Sequence, residues 1–237
     1  MPNLQVQYRL LFDNGHEESI SIGFDSETMA YQADETLPTP DWARLENNKC
    51  QSCPLQADSN PYCPVAKNLA PVIDRFVTHI SFEEVDLVVT VPAREYRKRI
   101  ALQKAVGAIF GLIMATSGCP ILDQLRPMAY THLPLAELGE TRYRAISMYL
   151  MAQFLRARKG LTAEWDLKGL EKIYDDIGHV NRDFVARLRS IDMQDAEIAA
   201  FGRIEPPAMI FREPFQLRDH GGVGNIVGAA TGEKIAT

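Results

Sequence analysis

The sequence predicts an α+β protein in which a small antiparallel β-sheet and a cysteine-bearing loop pack on a mainly helical body. Three observations predict it: single-residue alternation near the N-terminus, a cluster of cysteines after it, and helical spacing of apolar residues in the second half. The chain has 237 residues, 46% hydrophobic and 24% charged, which is enough to bury a core without disulfides. We expect one domain over residues 1–205 that includes a cysteine loop at 47–66.

The first element is a β-hairpin with one buried face. Apolar residues alternate over 6–12, Asp13-Asn14-Gly15 supplies a turn, and the alternation resumes over 20–24. A second alternating run, 85–91, predicts a third strand, because a lone hairpin is only marginally stable in water.

Helical spacing predicts four helices after the cysteine loop. A short one has Pro71 near its first turn, and a long one covers 93–116 and ends before Gly118 in the left-handed conformation. A helix over 141–159 is apolar nearly all round, which favours a central position. A helix over 167–188 has a one-sided apolar stripe and should lie at the surface.

The remaining features concern class and location. Prolines and glycines in 206–237 predict an extended arm with a flexible tail.

A net charge of −6 argues against nucleic-acid binding, which needs lysine and arginine to neutralise phosphates. The longest apolar run, 105–115, is shorter than the roughly 20 residues that cross a bilayer. Because no leader precedes the first strand, we expect a cytoplasmic protein with no membrane partner.

The four cysteines have the pattern of a metal site. Cys50 and Cys53 form a Cys-x2-Cys pair, Cys63 follows closely, and Cys119 lies far downstream. Zinc in a structural site takes four nitrogen or sulfur ligands in a tetrahedron, so these thiols suffice, with His132 as an alternative fourth ligand. One ion would then tie the irregular loop to the helical body and supply folding free energy.

Other interpretations of the cysteines stay open behind structural zinc. An iron-sulfur cluster uses the same thiolates, and Cys53, Cys63 and Cys119 each precede a proline, although the spacing fits neither familiar ferredoxin pattern. A redox dithiol at Cys50 and Cys53 ranks lower, because no βαβ unit surrounds the pair. The remaining interpretation is that the cysteines form no site and are reduced, separate and partly buried.

A basic cluster predicts a second, weaker site. Arg94, Arg97 and Lys98 fall in the first turns of the predicted long helix, where the helix dipole disfavours cations. A phosphate or carboxylate bound there would compensate, and a solvated basic face is the competing interpretation.

The cysteine motifs, with the run Leu125-Arg126-Pro127-Met128, His132-Leu133-Pro134 and Glu140-Thr141-Arg142-Tyr143-Arg144, resemble a family of uncharacterised bacterial cytoplasmic proteins over roughly residues 5–200. The resemblance implies the four cysteines and a bacterial setting, and it implies no catalytic residue. The sequence thus predicts a metal-binding protein of unassigned activity that presents a surface to a partner protein or a small anion. The alternative is an iron-sulfur or dithiol redox protein or enzyme.

Overall fold

The α+β prediction is confirmed by the computed structural model, which describes residues 4–76 and 82–191. Within these ranges a four-stranded antiparallel sheet packs against helices. The strands are β1 (Leu4–Phe12), β2 (Glu17–Phe24), β3 (Glu84–Val91) and β4 (Arg94–Ala101). The helices are α1 (Pro64–Phe76), α2 (Leu102–Thr116), α3 (Arg126–Tyr130), α4 (Leu138–Arg158) and α5 (Lys168–Arg189), with 3₁₀ turns at Asp41–Ala43 and Leu122–Leu125.

The sheet has the order β2-β1-β3-β4, and one of its faces is buried. Tyr8 of β1 pairs with Val89 of β3, and both are fully buried on the face that the helices cover. The opposite face is polar and carries ion pairs such as Arg9 with Glu17, at 2.8 Å. Alternation along β1 and β2 therefore produces a sheet with one side in the core and one in water.

The fourth strand corrects the predicted helix over 93–116, in which residues 94–101 were expected to be helical. These residues pair with β3, with Arg94 opposite Val91 and Ala101 opposite Glu84. Two effects favour the strand: its backbone satisfies the hydrogen-bonding groups of β3 that would otherwise form a bare edge, and it moves the basic run away from a helix N-terminus. The end of the helix is as predicted, since Gly118 follows it with a φ of +87°.

The helix predicted over 141–159 is α4. It does not occupy a central position, so the prediction that it lies in the core is wrong. Of its residues only Ala145, Tyr149 and Gln153 are buried. The side chain of Phe154 is 48% exposed, and other large apolar side chains of α4 share this exposure, namely Leu138, Tyr143, Met151 and Leu155. Apolar residues that are spread around a helix do not show which of its faces is buried. Only a stripe of apolar residues along one side of the helix shows this.

The other helices follow the predicted pattern more closely. The apolar stripe of α5 is buried through Leu170, Tyr174, Ile177, Val180, Phe184 and Leu188. The short helix α1 begins at Pro64, so Pro71 lies inside it and not in its first turn. The predicted arm at 206–237 and the last part of the predicted domain lie outside the described residues. Among the helices described, none has the length and apolarity needed to cross a membrane.

Candidate metal centre

The four thiols come from three separate segments and meet in one region. The negative charges of Cys63, Cys119 and Cys53 all act on Cys50, and those of Cys63 and Cys53 act on Cys119. Such interactions fall off quickly with distance, so these side chains are neighbours. Cys63 and Cys119 are buried, Cys50 and Cys53 are half-buried, and all four are free thiols. The cysteine loop and the turn after α2 therefore lie close enough for their thiols to interact electrostatically.

The Cys50–Cys53 pair occupies a turn that α5 holds in place. The Cys53 backbone N–H donates to the Cys50 carbonyl at 3.0 Å, which closes the turn. Inside it, the Gln51 N–H donates to Oδ2 of Asp183 at 2.9 Å. Asp183 belongs to α5, so a helix far along the chain fixes the orientation of the turn that bears the first two cysteines.

The chain that leads into this turn is held by a buried arginine. Arg187 of α5 is 1% exposed, and its Nη1 donates to the carbonyls of Trp42, at 3.0 Å, and Arg44, at 2.6 Å. Its Nη2 donates to the carbonyls of Leu45, at 3.1 Å, and Asn48, at 3.4 Å. One guanidinium thereby satisfies four carbonyls of an irregular segment that has no regular secondary structure to pair with.

Cys63 is positioned by a short antiparallel pairing between residues 43–45 and residues 61–63. Its N–H donates to the Ala43 carbonyl at 2.8 Å, and the Leu45 N–H donates to the Pro61 carbonyl at 2.9 Å. The Cys63 carbonyl accepts the Lys67 N–H at 2.9 Å, at the start of α1. Cys63 therefore joins the loop to a helix that packs in the core.

Cys119 lies in a tight turn whose backbone points toward its sulfur. Burial raises the pKa of the Cys119 thiol, and backbone hydrogen bonding from Leu122 and Ile121 acts in the opposite direction. Hydrogen bonds of this kind stabilise a thiolate. The turn is locked by Asp123, whose N–H donates to the Cys119 carbonyl at 2.9 Å. Burial outweighs the effect of the Leu122 and Ile121 hydrogen bonds, so the pKa of Cys119 is raised on balance.

Without a cation, two of the four thiols, Cys50 and Cys119, favour the protonated form. Burial, followed by the charges of Cys63, Asp183, Cys119 and Cys53, raises the pKa of Cys50 to about 12. Burial also raises the pKa of Cys119, against the effect of its two backbone donors. A nucleophilic or redox cysteine requires the opposite shift, since the thiolate is the reactive form. A metal cation reverses this balance, because coordination removes the proton from each thiol.

The donor set fits zinc, although the side chains are not yet arranged as ligands. In residues 4–76 and 82–191 no group of three histidine, cysteine, aspartate or glutamate side chains is in position to hold an ion. Four sulfur atoms in one region are the ligand number and type that zinc takes in closed structural sites. Loading would require the thiol side chains to turn toward a common point.

His132 lies in a different environment from the cysteines. Its Nε2 is 2.6 Å from the Tyr8 hydroxyl, and Arg144 is the charged group that acts on it. Burial, with a smaller effect of Arg144, lowers the pKa of His132 to about 4, so its ring is neutral near pH 7. With four cysteines together, the site does not need His132 as a substitute ligand.

The three residues of the predicted anion site do not share one surface. They lie on β4 and not in the first turns of a helix, so the helix dipole that motivated the site does not act there. Alternation places Arg97, which pairs with Glu95 at 2.7 Å, on the opposite face of the sheet from Arg94 and Lys98. Lys98 lines a cavity between β4 and α2.

Two residues that support the cysteine loop were not identified from the sequence. They are Asp183 and Arg187, both on α5. The available signal for Arg187 was its spacing, since it stands three residues after the buried Phe184 and one before the buried Leu188. A charged residue at a core position of an amphipathic helix indicates a specific buried partner.

Comparison with known proteins adds a family and no activity. No curated protein and no solved structure matches the chain. A family model described as "Domain of unknown function (DUF6901)" matches residues 6–214. The chain therefore belongs to this family.

Proposed function

We propose that the protein is a metal-binding protein whose four cysteines, Cys50, Cys53, Cys63 and Cys119, hold one structural zinc ion. The observation that carries the proposal is that thiols from three segments lie close enough to act on one another, and that burial raises the pKa of two of them, Cys50 and Cys119. A divalent cation converts that mutual repulsion into attraction, which no uncharged occupant does.

The surroundings of the cysteines support a structural ion over a reactive dithiol. The pKa of Cys50 is raised, whereas catalytic Cys-x2-Cys pairs work through a lowered one. The segments that bear the thiols are the irregular loop, the start of α1 and the turn after α2. An ion bound by all three would stabilise the loop against unfolding, because its binding free energy becomes folding free energy.

The proposed role is that of an interaction or ligand-binding protein in the cytoplasm. Four free thiols in one cluster suit a reducing compartment, in which clustered cysteines serve as ligands more often than as disulfides. The partner would be a protein or a small anion.

Elemental analysis of protein purified without air tests the proposal directly. We expect one equivalent of zinc per chain and a fall in the melting temperature when a chelator removes it. Less than about a third of an equivalent of zinc or iron, with no stabilisation on adding zinc, would contradict a structural ion.

A pair of variants in the same turn sharpens this test. Cys53→Ser should lower both the zinc content and the melting temperature, since it removes one ligand. Ser52→Ala changes the exposed residue beside it and should alter neither. Equal zinc content in both variants would show that the Cys53 sulfur is not a ligand.

An iron-sulfur cluster is the second candidate, and the backbone donors at Cys119 favour it. Hydrogen bonds to cluster-ligating sulfurs are a means by which proteins tune such clusters, and the backbone of Leu122 and Ile121 acts on Cys119 in the direction that favours its thiolate. A brown anaerobic preparation that contains iron and acid-labile sulfide, and little zinc, would indicate that the same four residues hold an iron-sulfur cluster and not zinc.

A further inference from the structure

A cavity of about 910 Å³ lies apart from the cysteines, between β4, α2 and the chain that runs from Leu125 into α4. None of the four cysteines lines it. Its wall is mainly apolar, and the volume falls in the range of small-molecule sites.

The α2 wall of the cavity is a row of small residues. Gly107, Ala108, Gly111 and Ala115 line it at helical spacing, and Lys104 lines its start. A Cβ atom added at Gly111 would meet no atom within 4 Å, so the space beside this residue is open. From Lys104 to Ala115 the helix rises about 16 Å, which makes the cavity an elongated groove.

Basic side chains outnumber acidic ones around this apolar groove. The cationic residues are Lys98, Arg99, Lys104 and Arg144, and the carboxylates are Glu84 and Glu137. Arg99 already pairs with Asp13, at 2.8 Å, and with Asp86, at 3.4 Å. Within the described residues no carboxylate lies in ion-pair distance of Lys98, Lys104 or Arg144.

Lys98 lies on the side of the sheet that faces the core. It pairs in register with Leu87, which is fully buried, and opposite residues of antiparallel strands share a face. Its side chain is exposed, because β4 is the edge strand, and it borders the cavity. Such inward-pointing charges also protect sheet edges from pairing, which is the alternative role for this residue.

Arg144 presents a partly buried guanidinium to the same cavity. Its Nη2 donates to the carbonyls of Met128, at 2.7 Å, and Thr131, at 2.8 Å. Its Nε atom is buried and has no hydrogen-bond partner. The charge of Glu140 acts on this guanidinium without lying in ion-pair distance, and an anion in the cavity would offset the remaining cost of withdrawing the group from water.

We propose that this cavity binds an organic anion with an elongated apolar body, such as a medium-chain carboxylate. The carboxylate is held by Lys98 and Arg144, and the apolar body lies along the Gly107, Gly111 and Ala115 wall. The neutral ring of His132, fixed by Tyr8, adds a hydrogen-bonding group to the lining. The proposal does not depend on the metal centre.

Binding of decanoate, measured by calorimetry below its micelle concentration, tests the proposal against two matched compounds. Decanoate should bind saturably and raise the melting temperature, acetate should not bind because it lacks the apolar body, and decanol should bind more weakly because it lacks the charge. Absence of decanoate binding, or equal binding of decanol, would overturn the proposal.

Three variants locate the binding site. Lys98→Met should weaken decanoate binding about tenfold through loss of a charge-assisted contact, and Gly111→Leu should abolish it by filling the groove. Arg97→Met makes the same change of charge on the opposite face and should bind decanoate as the wild type does. Circular dichroism of each unliganded variant checks the fold. Unchanged affinity in both Lys98→Met and Gly111→Leu would place the ligand elsewhere and leave Lys98 as an edge-protecting charge.

Discussion

The Asp183 carboxylate accepts the Gln51 backbone N–H at 2.9 Å, across 132 positions of the chain. This bond fixes the turn between the first two cysteines to α5. It also brings a negative charge next to Cys50, where that charge adds to the effects of burial and of Cys63. Asp183 therefore orients the turn and at the same time opposes ionisation of its first thiol in the metal-free protein.

Asp183→Asn should separate these two effects. The amide oxygen keeps an acceptor for Gln51, whereas the charge is lost, so the pKa of Cys50 should fall toward its ordinary value. In the metal-free protein, alkylation of Cys50 at mildly alkaline pH should become severalfold faster, as measured by peptide mass mapping. Asp175→Asn, two turns earlier on an exposed part of α5, is the control. An unchanged rate for Asp183→Asn would show that its charge does not act on the thiol.

Arg187→Met should destabilise the protein by at least about 3 kcal/mol, because it leaves the buried carbonyls of the loop without their donor. Arg187→Lys should recover only part of this loss, since one ammonium cannot reproduce the planar fork. Urea unfolding measures both. Arg189→Met, on an exposed position of the same helix, should stay within about 0.5 kcal/mol of the wild type. A loss below about 1 kcal/mol for Arg187→Met would mean that the loop does not depend on this clamp.

The buried His132 predicts a pH dependence of stability. Burial lowers its pKa from 6.5 to about 4, so between these values the unfolded chain binds a proton that the folded protein does not. Stability from this group is complete above pH 6.5 and decreases by up to about 3 kcal/mol as the pH falls to 4. His132→Gln removes the titration. The difference in unfolding free energy between the two proteins should therefore change across that window, and a constant difference would contradict a buried neutral ring.

The same change, phenylalanine to alanine, tests the burial of the two long helices at Phe154 in α4 and at Phe184 in α5. Phe154 in α4 is 48% exposed, whereas Phe184 in α5 is 4% exposed. Phe184→Ala should cost about 3 to 5 kcal/mol by opening a cavity in the core. Phe154→Ala should cost less than about 1 kcal/mol, because its side chain already contacts water. Chemical denaturation measures the unfolding free energy of both variants. Equal losses would contradict the surface position of α4.

Local pattern determined much of this fold. Single-residue alternation predicted β1, β2 and β3, the one-sided stripe predicted α5, and Gly118 marked the end of α2. The spacing of Cys50 and Cys53 predicted that both thiols lie in one turn, since two intervening residues allow little else. Each of these inferences depends on neighbours along the chain, which are visible in the sequence.

Tertiary structure decided what the local pattern could not. Residues 94–101 form a strand because β3 offers an unpaired edge, and α4 lies at the surface because the other elements already cover the core. The support of the loop by Asp183 and Arg187, and the cavity beside Lys98, arise from contacts between residues far apart in the chain. Sequence by itself specified the cysteines, their turn and the strands and helices with clear periodicity. Long-range packing set their surroundings, because burial and electrostatic fields depend on the positions of every neighbouring segment.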